Sequence, residues 1–285
     1  MKYILPSLLA MLLFSFTFAR CDDITDTLLI KKTLNFSSTG NETRTLLVDN
    51  INGSIEVTGY DGDAVEVVVH ETITAESNRK LKEAKADVTV ETKEDGDRIL
   101  LYVDGPWRRS DGSSDYRGYD YYGFEVNCDF EVKIPHKTDV NLKTVNGGNI
   151  KVVDVEGSFD VRNVNGGIKL RDIAGSGKAH TVNGNVEASF TKNPTEESSF
   201  QTVNGEVDVK FQKSLAADME FKTMNGEVYS DFDMKSMPIK PASVKHRGSM
   251  KIYKSGDAFS VRVGDGGPEI TFDTLNGDVY VSKYE

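Results

Sequence analysis

The stretch FQTVNGEVDVKF, residues 200–211, contains the motif that decides the fold. Nearly the same motif returns as TMNGEV at residues 223–228 and as TLNGDV at residues 274–279. The Asn-Gly pairs from Asn146 to Asn225 are separated by steps of 19, 18, 21 and 21 residues. Such even spacing predicts an internal repeat whose unit is a strand, an Asn-Gly turn, a second strand and a connector.

The repeat fits two architectures. An Asn-Gly pair between alternating strands is typical of a β-hairpin, since both residues accept positive φ, so an antiparallel meander is one interpretation. In the other, each unit is one coil of a single-stranded β-solenoid (β-helix), and coils of about 18–21 residues stack along an axis. The step from Asn225 to Asn276 is 51 residues, which leaves room for two further coils with degraded motifs.

Side-chain parity favours the solenoid. Successive strand residues point to opposite faces, so Phe200, Thr202 and Asn204 share one face, whose apolar members predict that it is buried. A buried Asn needs a hydrogen-bond partner, and identical residues in stacked coils can bond to each other in a ladder. The apolar residue between each Thr and Asn, such as Val203, falls on the other face and is an exception. The predicted ladder residues are Asn146, Asn165, Asn183, Asn204, Asn225, Asn276, Thr144, Thr181, Thr202, Thr223 and Thr274.

The part before Asn146 carries the same signature once, at Asn52-Gly53, with different elements around it. Residues 76–86, ESNRKLKEAKA, are good helix formers and predict one short helix. Residues 104–123 form a long Tyr-, Gly- and Arg-rich insertion loop. We therefore predict an all-β fold with one short helix, built as a single domain over residues 20–285.

The first residues predict export. Lys2 precedes an apolar run that ends in Thr17-Phe18-Ala19, the pattern of a secretory signal peptide over residues 1–19. No later apolar run is long enough to span a membrane. The expected location is the periplasm, the outer membrane or the surface of a bacterium.

The two cysteines, Cys21 and Cys128, can form a disulfide in an exported protein. Cys21 has two alternatives: it is the lipidated first residue of a bacterial lipoprotein, or it stays free. Arg20 stands before it, where lipoproteins normally have a small residue, so we favour the interpretation without a lipid anchor.

The formal net charge of −11 argues against two classes of partner. We do not expect a chain this acidic to bind nucleic acid through phosphates or to dock electrostatically on an anionic membrane. The acids are spread over many short stretches, as in a soluble surface.

The insertion at residues 104–123 is the best candidate for ligand contact. Aromatic residues supply contact area at low entropic cost and arginines add directed hydrogen bonds, a mixture typical of binding loops. The alternative is an insertion that is disordered or packs on itself. The candidate contact residues are Trp107, Arg108, Arg109, Tyr116, Arg117, Tyr119, Tyr121 and Tyr122.

No pattern predicts catalysis, a metal or a cofactor. The four histidines have no metal-ligand spacing, and the sequence contains no nucleophile elbow, zinc-protease motif or P-loop. The best enzymatic rival is a β-helix polysaccharide-active enzyme, for which Asp154 and Asp172 could stack on adjacent coils. Recurring Asp pairs such as Asp61 and Asp63 are interpreted as solvated turn residues rather than calcium ligands.

The order of these features resembles a known family. NGSIEVTGYDGDAVEV at residues 52–67 precedes DFEVKIPHKTDVNLKTVNGGNIKV at 129–152, and successive coils end in GDGGPEITFDTLNGDVYV at 264–281. The chain resembles the bacterial putative-adhesin family, exported β-solenoid proteins similar to autotransporter-adhesin head domains, over residues 40–283. The Tyr-rich insertion departs from the compact form, and residues 237–264 align poorly.

The resemblance implies an exported, non-catalytic, adhesin-like binding or scaffold protein of the cell envelope. The implied partner is a surface ligand, a protein or a glycan. A structural envelope protein that self-associates through solenoid ends is the alternative, because exposed ends and edges pair with other chains.

Overall fold

The computed structural model describes residues 23–37, 43–111, 113–237, 243–247, 250–254 and 258–284. The predicted signal peptide, residues 1–19, and Cys21 lie outside the described residues. The alternation of apolar and polar residues that predicts strands in the sequence continues through most of the described chain, which is mostly β.

The described part before the regular coils contains strands and two short helices. The helix α1 begins after Ser77, whose side chain accepts a hydrogen bond from the backbone N–H of Lys80 at 3.3 Å. The elements are β1 (Ile24–Asn35), β2 (Arg44–Asp49), β3 (Ile55–Tyr60), β4 (Ala64–Ala75), α1 (Asn78–Asp87), β5 (Thr89–Asp95), β6 (Arg98–Asp104), α2 (Tyr119–Tyr122) and β7 (Phe124–Pro135).

The middle of the chain alternates strands and Asn-Gly corners. Its strands are β8 (Thr138–Lys143), β9 (Ile150–Val153), β10 (Phe159–Arg162), β11 (Ile168–Ile173), β12 (Gly177–Asn183), β13 (Val186–Phe190), β14 (Ser198–Asn204) and β15 (Val207–Phe211). The last part contains β16 (Ala217–Asn225), β17 (Val228–Ser230), β18 (Met234–Ser236), β19 (Ser243–Arg247), β20 (Met250–Lys254), β21 (Phe259–Val263), β22 (Glu269–Asn276) and β23 (Val279–Lys283).

These strands form two sheets. Sheet A has twelve described strands in the order β1-β4-β7-β3-β9-β11-β13-β15-β23-β17-β20-β19. Sheet B has eleven in the order β18-β21-β16-β22-β14-β12-β10-β8-β2-β6-β5. In the middle of the chain each coil contributes one strand to sheet B and the next strand to sheet A. The Asn-Gly pair is the corner between them, so the antiparallel meander is wrong for these coils.

Equivalent residues of neighbouring coils lie side by side because these strands pair in parallel. Thr181 aligns with Thr202 on β12 and β14, and Val186 aligns with Val207 on β13 and β15. The inward faces of the two sheets form the core. Its centre is a column of stacked rings in which Phe272 lies 5.7 Å from Phe200 between ring centroids. Burying one such side chain stabilises the fold by roughly 1.5–3 kcal/mol.

The coils do not stack in chain order at the C-terminal end. β22 pairs in parallel with both β14 and β16, and β23 pairs with both β15 and β17. The last coil, residues 269–283, therefore lies between the coils at residues 198–211 and 217–230.

The prediction of two further coils between Asn225 and Asn276 is wrong. Within the described part of residues 231–268, β18 and β21 pair antiparallel with each other, and β21 pairs antiparallel with β16. The strands β19 and β20 form an antiparallel pair beside β17. This segment lacks the corner motif, so nothing in it directs the chain into another parallel coil.

The N-terminal end also departs from a plain solenoid. There β1, β4 and β7 pair antiparallel at one end of sheet A, and β5 pairs antiparallel with β6 at the end of sheet B. The prediction of an all-β, solenoid-like fold is confirmed at this coarse level. The strand order differs from that of a single-stranded β-solenoid over the whole chain.

Candidate functional site

The Asn side chains of the corners bond to one another along the whole stack. Each amide Nδ2 donates to the Oδ1 of the Asn in the neighbouring coil, and the order of the bonds is the spatial order of the coils. The donor–acceptor pairs are Asn146 to Asn52 (3.3 Å), Asn165 to Asn146 (2.8 Å), Asn183 to Asn165 (2.9 Å), Asn204 to Asn183 (2.8 Å), Asn276 to Asn204 (2.8 Å) and Asn225 to Asn276 (2.8 Å).

From Asn165 onward this amide ladder lies at the surface, which corrects the predicted burial, whereas Asn52 at its N-terminal end is buried and Asn146 is half-buried. Asn204 is exposed while Thr202 is buried, although the two residues have the same parity. The reason is that β14 ends at the corner, where the chain turns toward sheet A and strand alternation stops applying. The apolar residues beside the ladder are also outward, and Met224 is 73% exposed.

The threonines are buried but do not form a ladder of their own. Each hydroxyl donates to the carbonyl oxygen of a corner glycine in the neighbouring coil, so it satisfies a backbone group rather than another threonine. The pairs are Thr144 to Gly53 (2.9 Å), Thr181 to Gly166 (2.7 Å), Thr202 to Gly184 (2.8 Å), Thr223 to Gly277 (3.2 Å) and Thr274 to Gly205 (3.1 Å).

The corner glycines are required by close approach of the backbone. Gly205 has φ of +158°, and a Cβ at this position would lie 2.1 Å from the carbonyl oxygen of Gly184. A second row of acceptors, which was not predicted, follows the corner. Asn185 Oδ1 accepts from the backbone N–H of Glu206 at 3.0 Å. Part of the signal was available, because Asn149, Asn185 and Asp278 each follow a ladder Asn by two or three residues.

The insertion at residues 104–123 packs much of its aromatic content against itself. Trp107 is 3% exposed and meets the rings of Tyr116 and Tyr122 edge-on, with centroids 5.1 and 5.6 Å away. Tyr122 also contacts Phe124 of β7 at 5.8 Å. These three predicted contact residues therefore anchor the insertion to the body of the fold.

Arg108 is also an anchor. Its side chain is 10% exposed and forms an ion pair with Asp49 Oδ2 at 2.9 Å. Its guanidinium donates to the carbonyl oxygen of Val103 and lies 4.9 Å from the ring centroid of Tyr102. A side chain with this many partners holds the insertion against sheet B and is poorly placed to bind a free ligand.

The remaining predicted residues form a group that we call the arginine–tyrosine face: Arg109, Arg117 and Tyr121, which are exposed, and Tyr119, which is half-buried. Asp115 organises it by accepting from Arg109 at 3.2 Å and from Arg117 at 3.1 Å. The hydrogen bond and charge of Arg117 lower the pKa of the Asp115 carboxyl. The guanidinium of Arg117 lies 4.8 Å from the ring centroid of Tyr121, which is 61% exposed.

Tyr119 is tied to the start of β1. Its hydroxyl donates to Asp23 Oδ1 at 2.6 Å, and this bond raises the pKa of Tyr119 to about 12. Neither Asp23 nor Asp115 was predicted as a partner of these residues. The second could have been found, because Asp115 lies between two arginines in a short segment.

A cavity of about 390 Å³ opens beside the arginine–tyrosine face, and we call it the insertion cavity. Arg109 belongs to both. The ring of Tyr102 contacts two cations, since the Arg108 guanidinium lies 4.9 Å and Lys93 Nζ lies 5.0 Å from its centroid. The residues that line the insertion cavity are Asp49, Lys93, Leu100, Tyr102, Asp104, Arg108, Arg109 and Ser110.

Asp154 and Asp172, the two residues weighed for catalysis, occupy equivalent positions of adjacent coils, directly after the paired residues Val153 and Arg171, but their side chains have different partners. Asp172 accepts a hydrogen bond from the hydroxyl of Tyr284 at 2.6 Å. His136 lies between Asp154 and Asp61, 3.7 Å from Asp154 Oδ2 and 3.3 Å from Asp61 Oδ1. The backbone carbonyl of Asp154, reinforced by these carboxylates, raises the pKa of His136. Within the part of the chain that the structure describes, no three His, Cys, Asp or Glu side chains are placed to hold a metal.

Cys128 is buried on β7, and burial, followed by the charges of Glu71 and Asp129, raises the pKa of its thiol. Such a thiol is a poor nucleophile. The disulfide with Cys21 stays a prediction, since Cys21 is outside the described residues. Neither described helix is long and apolar enough to cross a membrane.

Three solved structures are similar to this chain at low identity and low TM-score. A "putative cell adhesion protein" from Clostridium sporogenes ATCC 15579 is 11% identical, covers 90% of this chain and 100% of its own, and has a TM-score of 0.45. A "putative adhesin" from Bacteroides fragilis NCTC 9343 is 11% identical, with coverages of 90% and 97% and a TM-score of 0.36. A "putative lipid binding protein" from Parabacteroides distasonis ATCC 8503 is 10% identical, with coverages of 90% and 97% and a TM-score of 0.28.

At these TM-scores the three similarities support no inference about what the chain binds. No curated protein matches the chain. The model of the Toastrack DUF4097 family matches residues 153–271, which include most of the Asn-Gly coils. This match covers less than half of the chain, and it confirms the resemblance to the putative-adhesin family.

Proposed function

We propose that the chain is an exported, non-catalytic, adhesin-like binding protein of the cell envelope. In this proposal the β-solenoid is a rigid scaffold and the arginine–tyrosine face contacts a surface ligand, a protein or a glycan. The observation that carries the proposal is the division of labour within residues 104–123. Trp107, Arg108, Tyr116 and Tyr122 hold the insertion in place, so Arg109, Arg117 and Tyr121 are presented on an ordered support.

Presentation on a fixed support favours binding in two ways. Aromatic and arginine side chains dominate the energetics of contact surfaces, and an ordered loop loses less entropy when it binds. Asp115 holds the two guanidinium groups on one side of the insertion. The neighbouring insertion cavity gives the same surface a concave part.

The test uses an array of glycans and matrix proteins with the full chain. The triple variant Arg109→Ser, Arg117→Ser, Tyr121→Ser removes the face but leaves the anchors. We expect about ten-fold weaker binding or worse with an unchanged circular dichroism spectrum. The control variant Arg79→Ser, Lys222→Ser removes two exposed cations from α1 and β16 and should bind as the wild type does. Equal binding by the triple variant, or no binding by the wild type, would contradict the proposal.

The absence of catalysis is part of the same proposal. The alternative, a polysaccharide-active enzyme, predicts turnover on a panel of polysaccharides and loss of that turnover in Asp154→Asn or Asp172→Asn. We expect no turnover by the wild type.

Self-association is a second candidate function, and one observation favours it. Leu28 and Leu29 are 54% and 50% exposed on β1, the outermost described strand at one end of sheet A. An exposed edge strand with apolar side chains is a template for pairing with another chain. Size-exclusion chromatography over a concentration series tests this, and Leu28→Lys with Leu29→Lys should abolish any growth in size.

A further inference from the structure

A second cavity lies on the outer face of sheet A, away from the insertion. It encloses about 540 Å³ and spans β11, β13, β15 and β23. Three interstrand spacings make it roughly 14 Å long. We call it the strap cavity, because the C-terminal Tyr284 reaches across to β11 on one side. Its lining residues are Arg171, Asp172, Ser189, Lys210, Asp231, Ser282, Lys283 and Tyr284.

Cations and hydroxyls alternate along this cavity. Ser189 aligns with Lys210 on the next strand, and Lys210 aligns with Ser282 on the one after. On the other side of Ser189, the register between β11 and β13 shifts, so that Arg171 and Asp172 together oppose this single residue. The result is a row of Arg, Ser, Lys and Ser on four adjacent strands.

The shift in register re-aims side chains at this point. Asp172 has φ of +54°, a conformation uncommon for residues other than glycine. Asp154 has the same conformation, φ of +56°, in the preceding coil, but Val153 there takes the position of Arg171. Bulges of this kind often lie beside functional sites because they redirect a side chain.

The carboxylates of the cavity are engaged and two of its cations are not. Asp172 accepts from the hydroxyl of Tyr284 at 2.6 Å, and Asp231 accepts from the backbone N–H of Lys283 at 3.1 Å. Among the described residues, no carboxylate lies within ion-pair distance of Arg171 or Lys210. Two unpaired cations in one cavity of a chain with a net charge of −11 indicate a local site for an anion.

Two other lysines on the same face of sheet A, outside the strap cavity, form ion pairs, unlike Lys210. Lys151 pairs with Glu56 at 2.6 Å, and Lys169 pairs with Glu187 at 2.7 Å. The outer face of sheet A therefore neutralises its other central cations. Asp208, two residues from Lys210, is half-buried, and burial raises the pKa of its carboxyl, with Lys210 opposing that rise.

We propose that the strap cavity binds a segment of a polysaccharide that carries carboxylate groups, with Arg171 and Lys210 as the cationic contacts. The cavity is open and extended along the stack of coils, which suits a polymer better than an isolated small anion. Apart from the ring of Tyr284, its lining is polar or charged, which suits a polyhydroxylated ligand better than an acidic peptide with apolar side chains. Ser189 and Ser282 supply hydroxyls between the cations.

Isothermal titration of the full chain tests the proposal, with a uronic acid oligomer as the probe. We expect binding that weakens as salt rises, because partly exposed ion pairs are screened. The variant Arg171→Gln, Lys210→Gln should weaken it about ten-fold or more. The control variant Lys222→Gln, Arg79→Gln removes the same charge elsewhere and should leave the affinity unchanged. Both variants alter exposed side chains, so circular dichroism should match the wild type.

Three further arms separate the ligand classes. A neutral hexose oligomer should not bind, and inorganic sulfate or an oligoglutamate of similar length should bind at least about ten-fold more weakly. Equal affinity for either of the last two, or wild-type affinity in the Arg171→Gln, Lys210→Gln variant, would overturn the proposal. So would no binding of the uronic acid oligomer by the wild type.

The test is independent of the proposed role of the insertion. The triple variant of the arginine–tyrosine face should retain its affinity for the uronic acid oligomer, because the strap cavity contains none of the substituted residues. A loss of binding in that variant alone would assign the acidic sugar to the insertion and overturn the site proposed here.

Discussion

The coils at residues 138–211 and those at residues 217–283 use the same motif but stack differently. In the first region each coil follows its predecessor in both sequence and space. In the second, the last coil lies between two earlier ones. The corner bonds are nevertheless the same, since Asn276 donates to Asn204 at 2.8 Å just as Asn204 donates to Asn183.

This difference shows what the motif encodes. It specifies the contact between any two neighbouring coils: an amide bond, a threonine bonded to a glycine carbonyl, and parallel register. It does not specify which coil is the neighbour. The order is decided by the chain between β17 and β22. Its strands β21 and β20 pair with β16 and β17 on the side away from the last coil.

The largest effect on stability should come from the core of the last coil, residues 269–283, which lies between two earlier coils. Phe272 is fully buried and stacks with Phe200 at 5.7 Å and with Phe221 at 4.8 Å between ring centroids. The variant Phe272→Ala therefore opens a cavity between the last coil and both of its neighbouring coils. We expect the free energy of unfolding to fall by about 3–5 kcal/mol in urea denaturation.

The matched variant Phe190→Ala removes an equally buried ring whose aromatic partners, Phe159, Phe200 and Phe211, all lie in the regular coils, and it should lower stability by a similar amount. Amide exchange separates the two. Phe272→Ala should increase exchange at residues 217–283 first, and uniform exchange in both variants would show that the two regions unfold as one unit.

A smaller loss should follow from the corner itself. Gly205→Ala places a Cβ 2.1 Å from the carbonyl oxygen of Gly184 at a φ that favours glycine, so we expect a cost of about 2–3 kcal/mol. Gly96→Ala is the control, because its φ is +60° but no atom lies within 4 Å of the added Cβ. It should cost about 1 kcal/mol. Equal thermal shifts would mean that close stacking does not limit the corner.

The ladder should contribute less, and its contribution should depend on position. Asn204 both donates to Asn183 and accepts from Asn276, so Asn204→Leu removes two bonds at an exposed corner and should cost about 1–2 kcal/mol. Asn225 has one ladder bond, to Asn276, and Asn225→Leu should cost about half as much. A change in ligand binding at unchanged stability would contradict the structural role of the ladder.

The smallest effect should be a pH dependence of the melting temperature that arises where β21 pairs antiparallel with β16. Two hydrogen bonds from Arg262 lower the pKa of the Asp218 carboxyl, joining β21 to β16. A lowered folded-state pKa stabilises the fold above the unfolded value, near 3.9, and this stabilisation is lost as the pH falls through the folded value. The melting temperature of Arg262→Gln should therefore be below that of the wild type at pH 7 and equal to it at pH 2. A gap that persists at pH 2 would assign the loss to packing.

Local features were predictable from residues because short-range sterics control them. The strands, the Asn-Gly corners and the amide ladder follow from alternation and repetition in the sequence, and α1 follows from its helix-forming residues, whereas α2 was not predicted. The burial of the ladder was predicted wrongly, since parity holds only along a strand and Asn204 stands where the strand ends. The division of residues 104–123 into buried anchors and an exposed face could not be predicted, because it depends on where Asp49, Tyr102 and Phe124 lie in the fold.

The sequence by itself therefore determined the unit of this protein: a coil of two strands with a glycine corner and bonds that any similar coil can match. Only the tertiary structure decided the order of the coils and the places where unpaired groups gather. Arg171 and Lys210 are 39 positions apart in the sequence, and they share a cavity only because parallel stacking places β11 two strands from β15. Stacking energy depends on which surfaces meet, and a repeated motif gives many surfaces the same complementarity, so the connections between coils make the choice.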